Sequence, residues 1–444
     1  MHLPFPVLRR LYLYEYTALV LGFALVVFES FVASLAFVIN SLVVKVFPKW
    51  SVWNKKTALQ AYAVDDIETI DKAFSLHDAK SIREMCEVHG FGVEEHLIRT
   101  NDDYILCVHR IYQMTDNALN GPGKPKSRPV VYCHHGLLMN SEVWVCNLDA
   151  NKCLVFDLVR RGYDVWLGNN RGNKYSRQHL YLRSSDVDFW DFCIDDFAQY
   201  DIPDTIHYIL NVTEQPSLSY VGFSQGTAQA FASLSIHPLL NEKVNTFIAL
   251  APAISPRGLH SSVGDAIVRA NPFLLYMFFG HKSFLASAGF WQSILYPPLF
   301  DVVLNYCLVH LFDWRCKNMT PLQKLVSYAH LYSYTSVKCL VHWFQIMHSG
   351  EFRMYDNDML IQSTYAPYYK AARFPTKNIR TPIHLLWGDC DSLVDINVML
   401  NVLPEGTQEV RVDSYEHLDM IWSDTVDVDV NPHVFQWLEQ AKRG

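Results

Sequence analysis

LSYVGFSQGTAQAFASLSI, residues 218–236, is the stretch on which the fold turns. Its opening LSYV is short and apolar, as a buried strand would be. Its second half, QGTAQAFASLSI from Gln225, reads as a helix. Between them stands Gly222-Phe223-Ser224-Gln225-Gly226. A sharp strand-to-helix turn needs small residues on both sides of the serine, because side chains there would collide with the neighbouring strand and helix. Such a turn lifts the serine hydroxyl out of the sheet and aims a helix N-terminus at it. The bare G-x-S-x-G pattern arises by chance; its strand-turn-helix setting makes Ser224 a candidate nucleophile.

Working outward, short apolar runs bounded by turn signals recur at VVYCH (130–134), YDVWL (163–167), TFIAL (246–250) and IHLLW (383–387). Runs of this kind suit buried parallel strands. YILCVHRI (104–111) favours a further strand, and NALNGPGKPKSRP (117–129) is turn-rich and reads as an exposed loop. Helical patterns lie between the strands, notably DDFAQYDIPDTIHYILN from Asp195. Strand alternating with helix implies an α/β protein with a mostly parallel, doubly wound sheet. The alternation fails between about 254 and 372, where FLLYMFFG and VHWFQIMH are aromatic-rich and helical in tone. This region reads as a cap or lid inserted over the carboxyl edge of the sheet, or equally as the core helices of a second lobe.

Half of the 444 residues are hydrophobic and only 18% are charged, which supplies a large core and argues against extended disorder. A net charge of −8 with no basic stripe excludes nucleic acid as a partner. Ten scattered cysteines without a C-x-x-C form no zinc site or disulfide framework. Thr17 to Phe47, TALVLGFALVVFESFVASLAFVINSLVVKVF, is the compositional anomaly. As one helix it would extend roughly 45 Å against a bilayer core of roughly 30 Å. Residues 1–47 are therefore expected to form a membrane anchor, as one tilted span or a hairpin turning near Glu29 and Ser30. Basic residues flank both sides, so they set no firm orientation. Residues 48–100 read as a mostly helical connector, and 101–444 as the main domain.

A serine hydroxyl needs a base to take its proton and a carboxylate to orient that base. On a sheet of this kind the order along the chain is serine, acid, histidine. IHLLW runs into Gly388-Asp389-Cys390-Asp391, with Asp395 further along the loop, and spacing alone leaves these three acids open. EVRV (409–412) leads into SYEHLD, which puts His417 in a loop after a strand. Backbone N–H groups should hold the developing oxyanion, since fixed dipoles need no reorganisation. Gln225, after the nucleophile, and Leu137, in the HHGLL loop after VVYCH, are the expected donors. The chain lacks H-E-x-x-H, Walker A and dinucleotide glycine patterns, so no metal and no cofactor is expected.

These residues carry a resemblance. The chain resembles the acid lipase family, which includes gastric lipase, lysosomal acid lipase and the fungal steryl ester hydrolases. The likeness runs from about Val88 to Trp422. It rests on His135-Gly136-Leu137-Leu138, YDVWLGNNRGNKYSRQH (163–179), Phe189-Trp190, HSGEFRMYDN (348–357) and HLDMIW (417–422). It implies an α/β-hydrolase fold with a helical cap, the triad Ser224, Asp391 and His417, and oxyanion donors Leu137 and Gln225. It thereby selects Asp391 over Asp389 and Asp395. It also implies that Cys307 and Cys316 match a lid-region pair bridged in the secreted members. This chain departs from those members in its long apolar N-terminus and in having Asp389 and Cys390 before the acid.

The implied function is hydrolysis of neutral-lipid carboxylic esters, steryl esters first and triacylglycerols second, at a membrane or lipid-droplet surface. A lipid droplet or endoplasmic reticulum membrane is the expected location, with the catalytic domain facing the cytosol. Two other readings use the same residues. An acyltransferase would pass the same acyl group to an alcohol, and a non-catalytic, membrane-tethered lipid-binding protein would keep the fold without turnover. Asn211-Val212-Thr213 and Asn318-Met319-Thr320 are possible glycosylation acceptors, which would place the domain in a lumen instead.

Overall fold

A computed structural model describes residues 66–114, 128–254, 272–285, 297–357 and 371–443, with a few single positions between 255 and 268. The expected anchor, residues 1–47, and the turn-rich loop after Met114 lie outside the described residues. Among the described residues, no helix is long and apolar enough to cross a membrane.

One nine-stranded sheet organises the chain. Its strands are β1 (Phe91–Arg99), β2 (Tyr104–Gln113), β3 (Val130–His134), β4 (Asp164–Leu167), the two-residue β5 (Gln178–His179), β6 (Leu218–Phe223), β7 (Val244–Leu250), β8 (Ile383–Gly388) and β9 (Gln408–Val412). The spatial order is β1-β2-β4-β3-β6-β7-β8-β9, with β5 beside β2. From β4 to β9 every pairing is parallel, while β1 and β2 add an antiparallel edge. The chain steps from β3 outward to β4, then crosses to β6 on the other side of β3. The winding of the chain across the sheet thus reverses between β3 and β6, the place where open α/β sheets bind ligands.

Alternation along the central strands feeds two cores. Val131, Cys133, Val221, Phe223, Ile248 and Leu250 point to one face; Tyr132, Tyr220, Phe247 and Ala249 point to the other. Burial on both faces is why these strands read as continuous apolar runs.

Helices α1 (Ile67–His77) and α2 (Ile82–Val88) precede the sheet, and their Ile70, Leu76, Ile82 and Met85 join its core. Phe91–Arg99 was expected to be the end of a helical connector. It is instead a strand, in register with β2 over its whole length. Glu94, Glu95 and His96 give FGVEEHLIR a helical flavour; the ladder to β2 and burial of Phe91, Val93 and Ile98 override it.

The longer helices that follow are α3 (Leu154–Arg160), α4 (Ile202–Thr213), α5 (Gln225–Ile236), α6 (Pro272–Phe279), α7 (Pro297–Phe312), α8 (Pro321–Leu331), α9 (Val337–Ser349), α10 (Ile396–Val402) and α11 (Asn431–Arg443). Four of them, α6 to α9, fill the region where the strand–helix alternation stops. α8 and α9 are seated firmly. His330 at the end of α8 bonds Glu142 at 3.2 Å and the Leu76 carbonyl at 2.7 Å. Burial alone would raise the Glu142 carboxyl, but His330 and Lys174 outweigh it and hold the group at about 2. On the other face, Arg171 is fully buried and paired with Asp201 and Asp102. Removing one partner of such a pair costs about 3–5 kcal/mol.

Candidate active site

Ser224 sits between β6 and α5 with φ 52° and ψ −119°, a strained backbone for a residue with a side chain. The turn is pinned on both sides. Ser224 N–H donates to the Leu250 carbonyl at 3.0 Å, and the Ser224 carbonyl accepts from Thr227 N–H at 2.8 Å and Thr227 Oγ1–H at 2.7 Å. The flanking glycines are required by space. A Cβ on Gly222 would fall 2.9 Å from backbone of Gly226 and Thr227; one on Gly226 would fall 2.4 Å from the His134 carbonyl oxygen. Helix α5 thus starts hard against the end of β3, and Gly136 lies beside the serine, where a Cβ would come within 3.1 Å of Ser224 Cβ.

Asp391 and His417 are joined by a 2.6 Å hydrogen bond between Oδ2 and Nδ1. A carboxylate oxygen only accepts, so Nδ1 carries the proton and Nε2 is left as the basic atom. The neighbouring carboxylates are engaged elsewhere. Asp389 accepts from Ser414 N–H at 2.6 Å and pairs with Arg411, while Asp395 caps α10 at Val398 N–H. Gly388 brings the two loops together, since a Cβ there would lie 2.1 Å from the Tyr415 carbonyl oxygen. The imidazole lies 5.2 Å from the ring of Phe223, next to the serine, and stacks on Trp314 at 4.7 Å, nearly parallel at 4°. Asp391 and His417 are both almost wholly buried.

The loop after β3 is braced from behind. His135 Nε2 accepts from Asn170 N–H at 3.2 Å, so Nδ1–H is the donor to the Gly136 carbonyl at 2.8 Å. Burial pushes His135 down to about 4, which keeps it neutral for this split role. In a trans peptide, C=O and N–H point opposite ways, so fixing the Gly136 carbonyl fixes the Leu137 N–H. Asn169 extends the brace by accepting from Ser141 N–H at 3.0 Å and from Asn173 at 2.8 Å. The sequence GNNRGN thus acts as a scaffold for the loop carrying Leu137.

Residues 129–424 match the family described as alpha/beta hydrolase fold, and residues 82–148 match the partial alpha/beta-hydrolase lipase region. A probable lipase of Schizosaccharomyces pombe is 62% identical, covering 98% of this chain and 92% of that protein. The gastric triacylglycerol lipase of Homo sapiens is 33% identical, covering 82% of this chain and 92% of that protein. The human lysosomal acid lipase/cholesteryl ester hydrolase is 34% identical, covering 77% and 86% respectively. The chain belongs to the acid lipase family of α/β-hydrolases.

Cys307 is exposed on α7 and Cys316 is buried, and both are free thiols. Of the two sequons, Asn211 is exposed, whereas the Asn318 amide already donates to the Ser414 carbonyl at 2.7 Å and to Asp419 at 2.9 Å. One group among the described residues could hold a metal ion. It is Cys193, Asp195 and His342, whose ligand atoms lie within 4.8 Å of one another. Burial pushes the Cys193 thiol well up, Asp195 to about 6 and His342 down to about 4, so a cation would have to displace the thiol proton. The group shares no residue with the site around Ser224.

Sequence reasoning named His135 but gave it no role of its own, and missed Trp314 and two residues of α9, Cys339 and Trp343, that bond the Gln225 side chain. Position within the HHG motif could have singled out His135; nothing in the spacing marks the other three.

Proposed function

We propose that the chain is a serine ester hydrolase that cleaves neutral-lipid carboxylic esters through an acyl-enzyme on Ser224. His417 Nε2 takes the Ser224 proton as Oγ attacks the ester carbonyl, and Asp391 steadies the imidazolium that forms. The N–H groups of Leu137 and Gln225 hold the oxyanion. His417 returns the proton to the leaving alcohol, and water, activated by the same imidazole, releases the fatty acid. The observation that carries this reading is the Asp391–His417 hydrogen bond, set beside a serine in strained strand-to-helix backbone.

Steryl esters come first as substrate and triacylglycerols second. The relatives' names, triacylglycerol lipase and cholesteryl ester hydrolase, support that class. So do Val302, Val303 and Tyr306, exposed on α7 as an apolar face suited to a lipid surface. Residues 1–47 anchor the enzyme, on this proposal, to a lipid droplet or endoplasmic reticulum membrane, with the catalytic domain on the cytosolic side. The test is a panel of steryl esters, triacylglycerols and short soluble esters, scored for free fatty acid and for newly formed ester. Wild-type protein should release fatty acid, and Ser224→Ala should release none while remaining folded. New ester in the presence of sterol, without fatty acid, would make it an acyltransferase.

A further inference from the structure

One cap segment touches both of the backbone stretches assigned to the oxyanion. Ser333 N–H donates to the Leu138 carbonyl at 2.5 Å, and Ser333 Oγ accepts from Lys174 N–H at 2.9 Å. Leu138 is itself held at φ 58°. Six and ten residues beyond Ser333, α9 presents Cys339 and Trp343 one turn apart on a single face. Trp343 Nε1–H donates to Gln225 Oε1 at 2.7 Å, and the Cys339 thiol donates to the same oxygen at 3.5 Å. An amide oxygen has two lone pairs, and both are taken. Gln225, Cys339 and Trp343 are each 3% exposed or less, so water does not compete. The start of α9 is fixed in turn, because Ser336 Oγ caps Cys339 N–H at 2.9 Å and donates to the Phe192 carbonyl at 2.5 Å.

Gln225 is the first residue of α5, and a first-turn N–H has no partner within its own helix. Its direction is therefore set by the turn before it and by whatever fixes its side chain. We infer that Trp343 is a positioning residue for the oxyanion hole: by latching the Gln225 side chain, it aligns the Gln225 N–H and couples the hole to the seating of the cap. This rests on the proposed hydrolysis at Ser224. Ground-state binding of the ester carbonyl gains little from the alignment; the charged tetrahedral state gains most.

Trp343→Phe removes the N–H and keeps an aromatic ring. In purified full-length protein acting on a short soluble ester, kcat per active site, titrated with a fluorophosphonate, should fall about tenfold while KM moves by less than about twofold. Affinity for a trifluoromethyl ketone, which forms an anionic tetrahedral adduct, should fall by the same factor as kcat. Gln225→Leu, which removes the acceptor from the other side, should match that loss, and the double variant should lose no more. An unchanged kcat per titrated site, or additive losses in the double variant, overturns the inference. A wild type without turnover, or turnover that persists in Ser224→Ala, overturns the hydrolase reading with it. Normal wild-type turnover with an unaffected Trp343→Phe overturns the latch alone.

Discussion

On the proposed mechanism, the chemistry at Asp391 and His417 comes down to one proton on one nitrogen. The 2.6 Å bond from Nδ1 keeps Nε2 basic, and no other carboxylate of the loop can replace it, because Asp389 and Asp395 are committed to Ser414 and Val398. Asp391→Asn should lower kcat by about 10⁴, since an amide favours the wrong tautomer. Asp389→Asn and Asp395→Asn should each cost less than about tenfold, through loop stability alone. Steady-state kinetics on a soluble ester separates the three, and a crippled Asp395→Asn would move the acid. Ser224 and His417 were legible from sequence because each has a local setting, an elbow after a strand or a loop after a strand. The choice among three acids was not, since it depends on which way each side chain turns; the family resemblance made it, and the hydrogen bond agrees. Trp314 and Trp343 were illegible for a similar reason. Each meets its partner across about a hundred residues of chain, and an aromatic in an aromatic-rich segment carries no distinguishing mark.

Strands and helices were more legible than their edges. All five apolar runs around the elbow became central parallel strands, because burial on both faces leaves only one kind of sequence. β1 escaped because it is an edge strand with Glu94, Glu95 and His96 in its middle, and pairing with β2, not propensity, makes it a strand. The junction of β6, α5 and β3 shows how tightly the elements are fitted. Gly226→Ala would force a methyl group to 2.4 Å from the His134 carbonyl oxygen, so α5 or the HHG loop must shift. We expect a loss of about 2 kcal/mol in stability, typical of overpacking, and a loss of kcat larger than that destabilisation explains. Chemical denaturation and kinetics on the folded fraction measure the two. Wild-type stability and rate in Gly226→Ala would mean the packing at the elbow is looser than these distances.

For the whole molecule, the proposed division falls between an apolar N-terminus and a catalytic domain whose proposed site residues all lie beyond residue 130. Deleting residues 1–47 should release the protein from membranes and leave hydrolysis of a short soluble ester within about twofold, since no residue assigned to the site is removed. Hydrolysis of droplet-borne ester should fall sharply. Loss of both activities in a folded protein would mean that the segment shapes the site. The doubly wound sheet and the family could be read from the sequence. The seating of α8 and α9 on the core, through Glu142 and Gln225, could not, because it is made by single contacts between distant segments. The most direct measurement of the central claim is mass-spectrometric mapping of a fluorophosphonate adduct on the intact protein. One adduct should form, on Ser224, with loss of all ester hydrolysis and a slower rate in Asp391→Asn. An adduct on another serine, or full hydrolysis by protein labelled at Ser224, would contradict it.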